Sequence, residues 1–383
     1  MDARRRRLGR SGQATIPSVV KDRSRSNRQR QIGRLRSAIS SRALVPQCRR
    51  LNRARRSSAC TQPEKLDNAS TCSYLCLKGA YALTFNRSEA MNEADILVSG
   101  ATGRTGGFAI DELLKMGKRV RAYVRTDDDR AAALRQRGVD IAVGDFTDID
   151  AIRAAMEGIR SAYFLYPIAP GIIGAAAYFA QAAKEAGVSA IVNMSQISAR
   201  RESASHAAQD HWVSERVFDW SGVATTHLRP TFFADWLVYP HFAKEIRATG
   251  KIEFPFGNGR HAPIASDDQG RVIAHLLANP AGHEGKIYTL HGPVEMNHVE
   301  IAAAMSEVLG TRIEYAPTSI EEFRIKMETV YKFPPFLTQH LVEVAQNYRD
   351  GIFSGTNDVV ETITGTPPLS VQAFVARNRS AFA

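Results

Sequence analysis

From Asp95 onward, short apolar runs alternate with longer stretches whose apolar residues recur every three or four positions. Short continuous runs read as buried strands, and the 3.6-residue recurrence reads as helices with one buried face. On this pattern Ile96-Leu97-Val98 is a strand, and Phe108 to Met116 is a helix stopped by Gly117, a residue suited to a helix C-terminus. Val120 to Val124 is a second strand, Ala131 to Arg137 a helix ended by Gly138, and Asp140 to Val143 a third strand. Ile149 to Met156 is a helix ended by Gly158, and Ala162 to Tyr166 is a fourth strand. Ala175 to Glu185 is a helix ended by Gly187, Ala190 to Met194 a fifth strand, Ala207 to Trp220 a helix, and Ala224 to Leu228 a sixth strand. Strict alternation of this kind predicts an α/β fold: a Rossmann-type, doubly wound parallel sheet with helices on both faces.

After Pro230 the rhythm breaks. Aromatic residues cluster at Phe232, Phe233, Trp236 and Tyr239, turn residues fall at Gly257-Asn258-Gly259, and helices are expected near Gln269 to Leu277 and Val299 to Leu309. This composition predicts a smaller C-terminal lobe over the carboxyl edge of the sheet. The expected division is a basic segment over 1–90, a dinucleotide-binding core over 91–230, and a lobe over 231–383 that returns elements to the core. Ser161 to Ala183 is uncharged and long enough for a membrane span, but Pro167, Pro170, Gly171 and Gly174 interrupt its centre. A buried strand, a loop and a helix are expected there instead, with no membrane contact.

Charge divides the chain in the same place. Residues 1–90 hold 21 Lys and Arg against 5 Asp and Glu, whereas residues 91–383 hold 29 against 34, so the formal net +11 belongs to one end. The first segment contains Arg4-Arg5-Arg6-Arg7 and Arg53-Ala54-Arg55-Arg56, and it lacks a helical or strand period. So much like charge with so few apolar groups predicts disorder. An organellar transit peptide, an arm for nucleic acid or anionic membrane, and a start codon assigned upstream of Met91 are the competing explanations. The last is favoured, because a complete domain begins within a few residues of Met91. Cys48, Cys60, Cys72 and Cys76 all lie in this segment, so the body is neither a disulfide scaffold nor a globally basic nucleic-acid binder. Cys72 and Cys76 have the wrong spacing for most zinc knuckles and no neighbouring His, and free thiols are expected. A cytoplasmic location is expected.

The first strand runs into Gly100-Ala101-Thr102-Gly103-Arg104-Thr105-Gly106-Gly107 and then a helix. In that context Gly100 permits the tight turn, Gly103 lets the backbone approach a pyrophosphate, and Gly106 lets helix and strand pack closely. The helix N-terminus then offers oriented N–H groups to phosphates. The residue closing the second strand selects the cofactor: an acid suits the ribose hydroxyl of NAD, and an arginine suits the 2′-phosphate of NADP. Arg125 stands there, with Arg104 in the loop as a second cation; otherwise both are solvated surface arginines. Asp127 is expected to cap the next helix rather than to serve as the NAD-type acid. NADP(H) is therefore expected, with NAD(H) as the alternative. Asp145, followed by Phe146 after the third strand, is placed to accept from the adenine amino group, or else only holds the turn.

The Gly-Ala-Thr-Gly-x-x-Gly loop, Gly144-Asp145, Leu228-Arg229-Pro230 and the run Gly282 to Leu290 together resemble the NmrA-like family, atypical short-chain dehydrogenase/reductase proteins that bind NAD(P). The resemblance covers essentially Met91 to Ala383. It implies a Rossmann domain with a small lobe over the nicotinamide end. One departure matters. Typical members of the superfamily carry Tyr-x-x-x-Lys on the helix after strand five, where this chain has His211 and Glu215. The family includes both quinone-type reductases and cofactor-sensing regulators without turnover, so the resemblance alone leaves catalysis open.

Hydride leaving a nicotinamide places negative charge on the acceptor oxygen, which then needs a proton or a donor. His211 can supply it, oriented by Glu215 one helical turn away, and Ser195 or Ser198 can add a hydroxyl. Alternatively His211 and Glu215 are a pair on the helix surface. Tyr163, Tyr166 and Pro167 lie where a nicotinamide would stack, and Phe232, Phe233 and Trp236 can line an apolar pocket; each group can equally be core. His206 and His211 are five apart and share no helix face suited to a metal, and the body holds no cysteine for thiol catalysis.

The expected activity is NADP(H)-dependent hydride transfer to a small quinone-like or carbonyl acceptor, without metal or flavin. The alternative is a non-catalytic NAD(P)-sensing regulator that binds a protein partner; nucleic acid is not expected as a partner. A chain beginning at Met91 is expected to bind NADPH with the affinity of the full chain, measured by titration calorimetry. Loss of binding on that truncation would contradict the division of the sequence at residue 90.

Overall fold

The computed structural model describes residues 94–383. The Arg-rich segment, its four cysteines and the start at Met91 lie outside the described residues. The order that follows is β1 (Ile96–Ser99), α1 (Arg104–Lys115), β2 (Val120–Val124), α2 (Asp129–Gln136), β3 (Asp140–Val143), α3 (Ile149–Ala155) and β4 (Ser161–Phe164). Next come α4 (Ile172–Ala186), β5 (Ala190–Met194), α5 (His206–Ser221) and β6 (Ala224–Pro230). The uncharged stretch from Ser161 is therefore β4, a loop and most of α4, and no helix among the described residues is long and apolar enough to cross a membrane.

The main sheet has seven strands rather than six, in the order β3-β2-β1-β4-β5-β6-β8, where β8 is Ile287–Leu290. Every pairing in it is parallel. Helices cover both faces, which explains the continuous apolar runs: all four residues of β1 are buried. Alternate side chains feed different cores. Ile96 and Val98 join the layer under α1 and α2, while Leu97 joins Phe164, Phe179 and Phe218 under α3, α4 and α5.

Several helices begin earlier than their apolar period suggests, α1 by the most. α1 starts at Arg104, not Phe108, because Gly103 donates its N–H to Gly100 O at 2.9 Å and the chain enters the helix directly. Gly106 and Gly107 are thus helical residues. A Cβ on Gly106 would overlap the carbonyl oxygen of Gly100, so its glycine is required by close packing of helix and strand. α4 starts at Ile172, three residues before the expected Ala175.

The chain after Pro230 makes a 3-10 turn (Ala234–Val238), α6 (Pro240–Thr249), β7 (Lys251–Ile252) and α7 (Ser266–Ala278). After β8 come α8 (His298–Leu309), β9 (Glu314–Tyr315), α9 (Ile320–Thr329), α10 (Pro335–Arg349), α11 (Val359–Thr364) and α12 (Val371–Arg377). Most of these surround a second apolar core that includes Phe254, Phe256, Met305, Met327, Tyr348 and Phe374. Three elements return to the first core: α7 lies against α1, β8 extends the sheet, and α11 buries Val360 beside them. Gly270 of α7 permits the helix contact, since a Cβ there would lie 2.8 Å from Ala109 N.

Asp235 fastens this lobe to the start of α1. Its buried carboxylate accepts from Arg104 Nε at 2.5 Å and from Ser266 N, the first residue of α7, at 2.8 Å. A buried carboxylate needs such partners to be tolerated.

Candidate cofactor cleft and acceptor pocket

All strands of the main sheet end at one edge, and the strand order reverses between β1 and β4, the place where doubly wound sheets open a crevice. Ser99 closes β1, and its buried hydroxyl accepts from Leu165 N at 2.9 Å, which fixes the two strand ends together. Here lies a cleft of about 430 Å³ lined by Gly100, Thr102, Gly103, Arg125, Asp145, Phe146 and Tyr166, among others.

Its floor is built for an anion. Gly100 has φ +61°, and a Cβ on it would press within 2.7 Å of Leu165 Cδ2. Gly103 caps α1 without any side chain, and the first turn of α1 carries no acid. The N-terminal amides of α1 therefore point at the cleft with no internal anion to satisfy them. These features fit a dinucleotide pyrophosphate.

The cations divide differently from the expectation. Arg125 is exposed at the end of β2 and lines the cleft, with no hydrogen bond or ion pair among the described residues. Arg104 does not line the cleft, because its guanidinium is held by Asp235. A local spacing argument placed both on one phosphate; a partner 131 positions away claims one of them. Thr105 and Gly106 also lie outside the lining, Thr105 being buried in α1. Arg130 enters instead, paired with Asp128 at 2.6 Å.

The helix cap also shifts by one residue. Asp128, not Asp127, caps α2 by accepting from Arg130 N and Ala131 N. Asp127 pairs with Arg135 at 3.0 Å. Asp145 does hold its turn, accepting from Thr147 N and Thr147 Oγ1 through Oδ1, and these bonds hold its carboxyl below the usual carboxylate range. Its Oδ2 has no hydrogen-bond partner among the described residues, and Asp145 lines the same cleft. Phe146 packs edge-on against Tyr123, Phe164 and Tyr166, forming one wall.

A second cavity of about 260 Å³ adjoins the first, the two sharing Leu165, Tyr166 and Pro167. Its lining is mostly apolar, including Phe232, Phe233, Trp236 and Tyr239 after β6, and Leu337, Leu341 and Val344 of α10. Phe232 and Trp236 stack with ring centres 5.3 Å apart. The aromatic cluster after Pro230 is therefore pocket wall and lobe core at once. Tyr163 differs from Tyr166: it is wholly buried and lines neither cavity.

The polar side chains of this pocket are Ser195, Gln196, His211, Thr231 and His340, with the phenols of Tyr166 and Tyr239. His211 and Glu215 are buried rather than on the helix surface. Glu215 does not orient His211 by a hydrogen bond. Its carboxylate instead accepts from Arg229 Nε at 2.8 Å and Arg229 Nη2 at 2.5 Å, and from Ser195 Oγ at 2.6 Å. The planar guanidinium of β6 matches both carboxylate oxygens, a geometry that a histidine one turn away cannot match. The hydroxyl proton of Ser195 is thereby committed to Glu215. Ser198 is buried outside the pocket and donates to Gln196 Oε1 at 2.7 Å.

Burial drives the His211 pKa down to about 4, helped by nearby His340 and opposed by Glu215. At neutral pH His211 is an uncharged imidazole, a hydrogen-bond donor rather than an imidazolium acid. Gln196, Thr231 and His340 were not singled out from the sequence, and Tyr239 was named only as part of the aromatic cluster after Pro230. For His340, only the helical spacing of Leu337, Leu341 and Val344 hinted that its helix faces something apolar.

Among the described residues no group of three His, Cys, Asp or Glu is placed to hold a metal ion. A larger groove of about 530 Å³ beside α1 and α7 shares no lining with either cavity. Its charged residues pair with one another, as Arg137 with Asp111, Arg271 with Asp268, and Arg377 with Asp267.

The NmrA-like family profile matches residues 92–362. The chain belongs to that family. Among curated relatives, it is 29% identical over 287 residues to an NAD(P)H azoreductase of Xenophilus azovorans, covering 75% of this chain and 99% of the relative. Among solved structures, the NADPH-dependent quinone oxidoreductase of Escherichia coli in complex with NADPH matches with a TM-score of 0.67 and 25% identity, over 74% of this chain and 99% of that one. The triphenylmethane reductase of Citrobacter sp. matches with a TM-score of 0.65 and 26% identity, over 75% and 99%.

Arg125→Ala is expected to weaken NADPH binding by roughly tenfold or more and NADH binding little, since only NADPH carries the phosphate. Equal losses for the two nucleotides, measured by fluorescence titration, would remove Arg125 from cofactor selection.

Proposed function

We propose that this protein is an NADPH-dependent reductase that passes a hydride directly to a small quinone-like or carbonyl acceptor. The observation carrying this reading is the shared wall of Leu165, Tyr166 and Pro167 between the anion-binding cleft and the apolar pocket. A dinucleotide whose pyrophosphate lies on the α1 amides and whose 2′-phosphate meets Arg125 extends along the strand ends toward that wall. The reduced nicotinamide supplies the hydride.

The chain's own residues supply the rest. The apolar walls exclude water and favour a flat, uncharged acceptor. His211, held neutral, donates an N–H to the oxygen on which charge develops, as a preorganised dipole rather than as a strong acid. That is enough for a quinone, whose reduced anion is itself stabilised by the ring. Glu215 acts on Ser195 and Arg229, fixing the end of β5 against β6 beside the pocket. Removing Arg229 would leave a buried charge without its main partner, at a cost of about 3–5 kcal/mol. A small-molecule partner and a cytoplasmic location go with this reading.

The rival reading, an NAD(P)-sensing regulator, draws on the replacement of Tyr and Lys by His211 and Glu215. NADPH oxidation across quinones, aldehydes and azo compounds separates the two. Turnover without added flavin or metal is expected for at least the quinones, and tight NADPH binding with no turnover on any acceptor would favour the sensor. His211→Ala is expected to lower kcat by roughly tenfold to a thousandfold. With His211 neutral well below pH 6, its contribution is expected to be constant between about pH 6 and pH 8. Unchanged turnover in His211→Ala would remove it from the mechanism.

A further inference from the structure

The acceptor pocket holds a second imidazole that the proposed reaction does not use. His340 lies on α10, in the lobe, and reaches the same cavity as His211 of α5. It is buried, and burial lowers its pKa to about 4, so it too is uncharged near neutral pH. Its Nδ1 meets Ser205 Oγ at 2.8 Å. That hydroxyl is already an acceptor, because Ser205 caps α5 by accepting from Ala208 N at 3.1 Å. The hydroxyl proton has no other acceptor among the described residues, so donation to Nδ1 is the arrangement that satisfies both groups, and the single ring proton of His340 is assigned to Nε2. No protein partner for Nε2 is present among the described residues, nor is that atom among the buried unpartnered ones, so it opens on the cavity the ring lines.

Among the described residues the lining also contains no Lys, Arg, Asp or Glu. Two neutral imidazoles from two different elements thus stand in a mostly apolar chamber whose other polar side chains are uncharged. A donor left in such a chamber is stabilised by a ligand that brings an acceptor atom to it.

We propose that His340, held in its Nε2–H form by Ser205, binds a second accepting atom of the acceptor while His211 faces the reacting one. The pocket then selects uncharged, conjugated acceptors with two hydrogen-bond-accepting atoms, over acceptors with one such atom or with an ionised substituent. The inference rests on the reductase reading for which atom reacts, but the anchoring itself is a statement about binding. His340 is a substrate-positioning residue, and Ser205 positions it.

Binding is measured with NADP+ in the cleft, so that no hydride is available. Naphthoquinone is the probe with two accepting atoms, tetralone the probe with one on the same bicyclic frame, and a naphthoquinone sulfonate the charged one. His340→Leu is expected to weaken naphthoquinone by roughly tenfold, the scale of one neutral hydrogen bond, and to leave tetralone and NADP+ unchanged. His340→Gln, whose amide N–H falls near the position of Nε2, is expected to recover most of the loss. The sulfonate is expected to bind the wild-type protein at least tenfold more weakly than naphthoquinone. Equal weakening of naphthoquinone and tetralone, or no weakening of either, would overturn the proposal.

A second measurement uses the wild-type chain and needs no variant to fold. The nitrogen-15 shifts of His340 are expected to report the Nε2–H tautomer, and the Nε2 signal is expected to move when naphthoquinone is added. An Nδ1–H tautomer or an unmoved Nε2 signal would overturn the assignment. Failure of the reductase reading looks different: NADPH would persist with every acceptor while these binding results stood.

Discussion

A parallel sheet places the carboxyl ends of all its strands along one edge, and the rest of this molecule depends on that constraint. The seven strands deliver the glycine loop, Arg125, Asp145, the segment Leu165 to Pro167, Ser195 and Thr231 to a single line. The bond from Leu165 N to Ser99 Oγ then sets the gap at the strand-order reversal. A dinucleotide-shaped cleft follows from backbone topology before any side chain is chosen. The side chains decide what it binds: a first turn of α1 without an acid, and an arginine after β2 that is unpaired among the described residues. The lobe closes the other end of the line, and Asp235 ties its entry to the first residue of α1.

Electrostatics separate the two cavities sharply. The cleft has the exposed cation of Arg125 in its lining and the N-terminus of α1 at its base, so it favours an anion. The pocket pairs its buried carboxylate internally, through Arg229 and Ser195, and holds His211 and His340 neutral by burial. Proton donors remain there without net charge. This division suits a reaction in which a charged cofactor is fixed outside and a neutral acceptor is received inside. Of the two residues that replace Tyr and Lys, Glu215 is engaged by Arg229 and Ser195, and only His211 lines the pocket.

The parts of this arrangement that were legible in the sequence are those set by local rules. Gly103 and Gly106 answer to sterics within a few residues, Gly100 to the positive φ of its turn, and Arg125 to its place at a strand end. The central strands β1, β4 and β5 are buried along their whole length because both their faces are covered, whereas β3 at the sheet edge is exposed at both ends and was legible from its place in the alternation. The seventh was missed because β8 is partly exposed along most of its length and arrives after the alternation has stopped. Long-range pairs were not legible at all. Arg104 was placed on a phosphate because nothing near it announces Asp235, and His211 was joined to Glu215 because helix spacing hides Arg229. His340 lies on a helix whose apolar spacing is visible, but which cavity that helix faces is decided only when the lobe folds back on the sheet.

The central claim is that cofactor cleft and acceptor pocket meet at one wall, so that an acceptor meets a single face of the nicotinamide. NADPH carrying deuterium at one or the other of the two hydrogens on its reactive carbon tests this most directly, with naphthoquinone as acceptor and the recovered NADP+ weighed by mass spectrometry. The account predicts that one labelled form loses its deuterium and the other keeps it. Equal loss from both forms, or no oxidation of either, would contradict it.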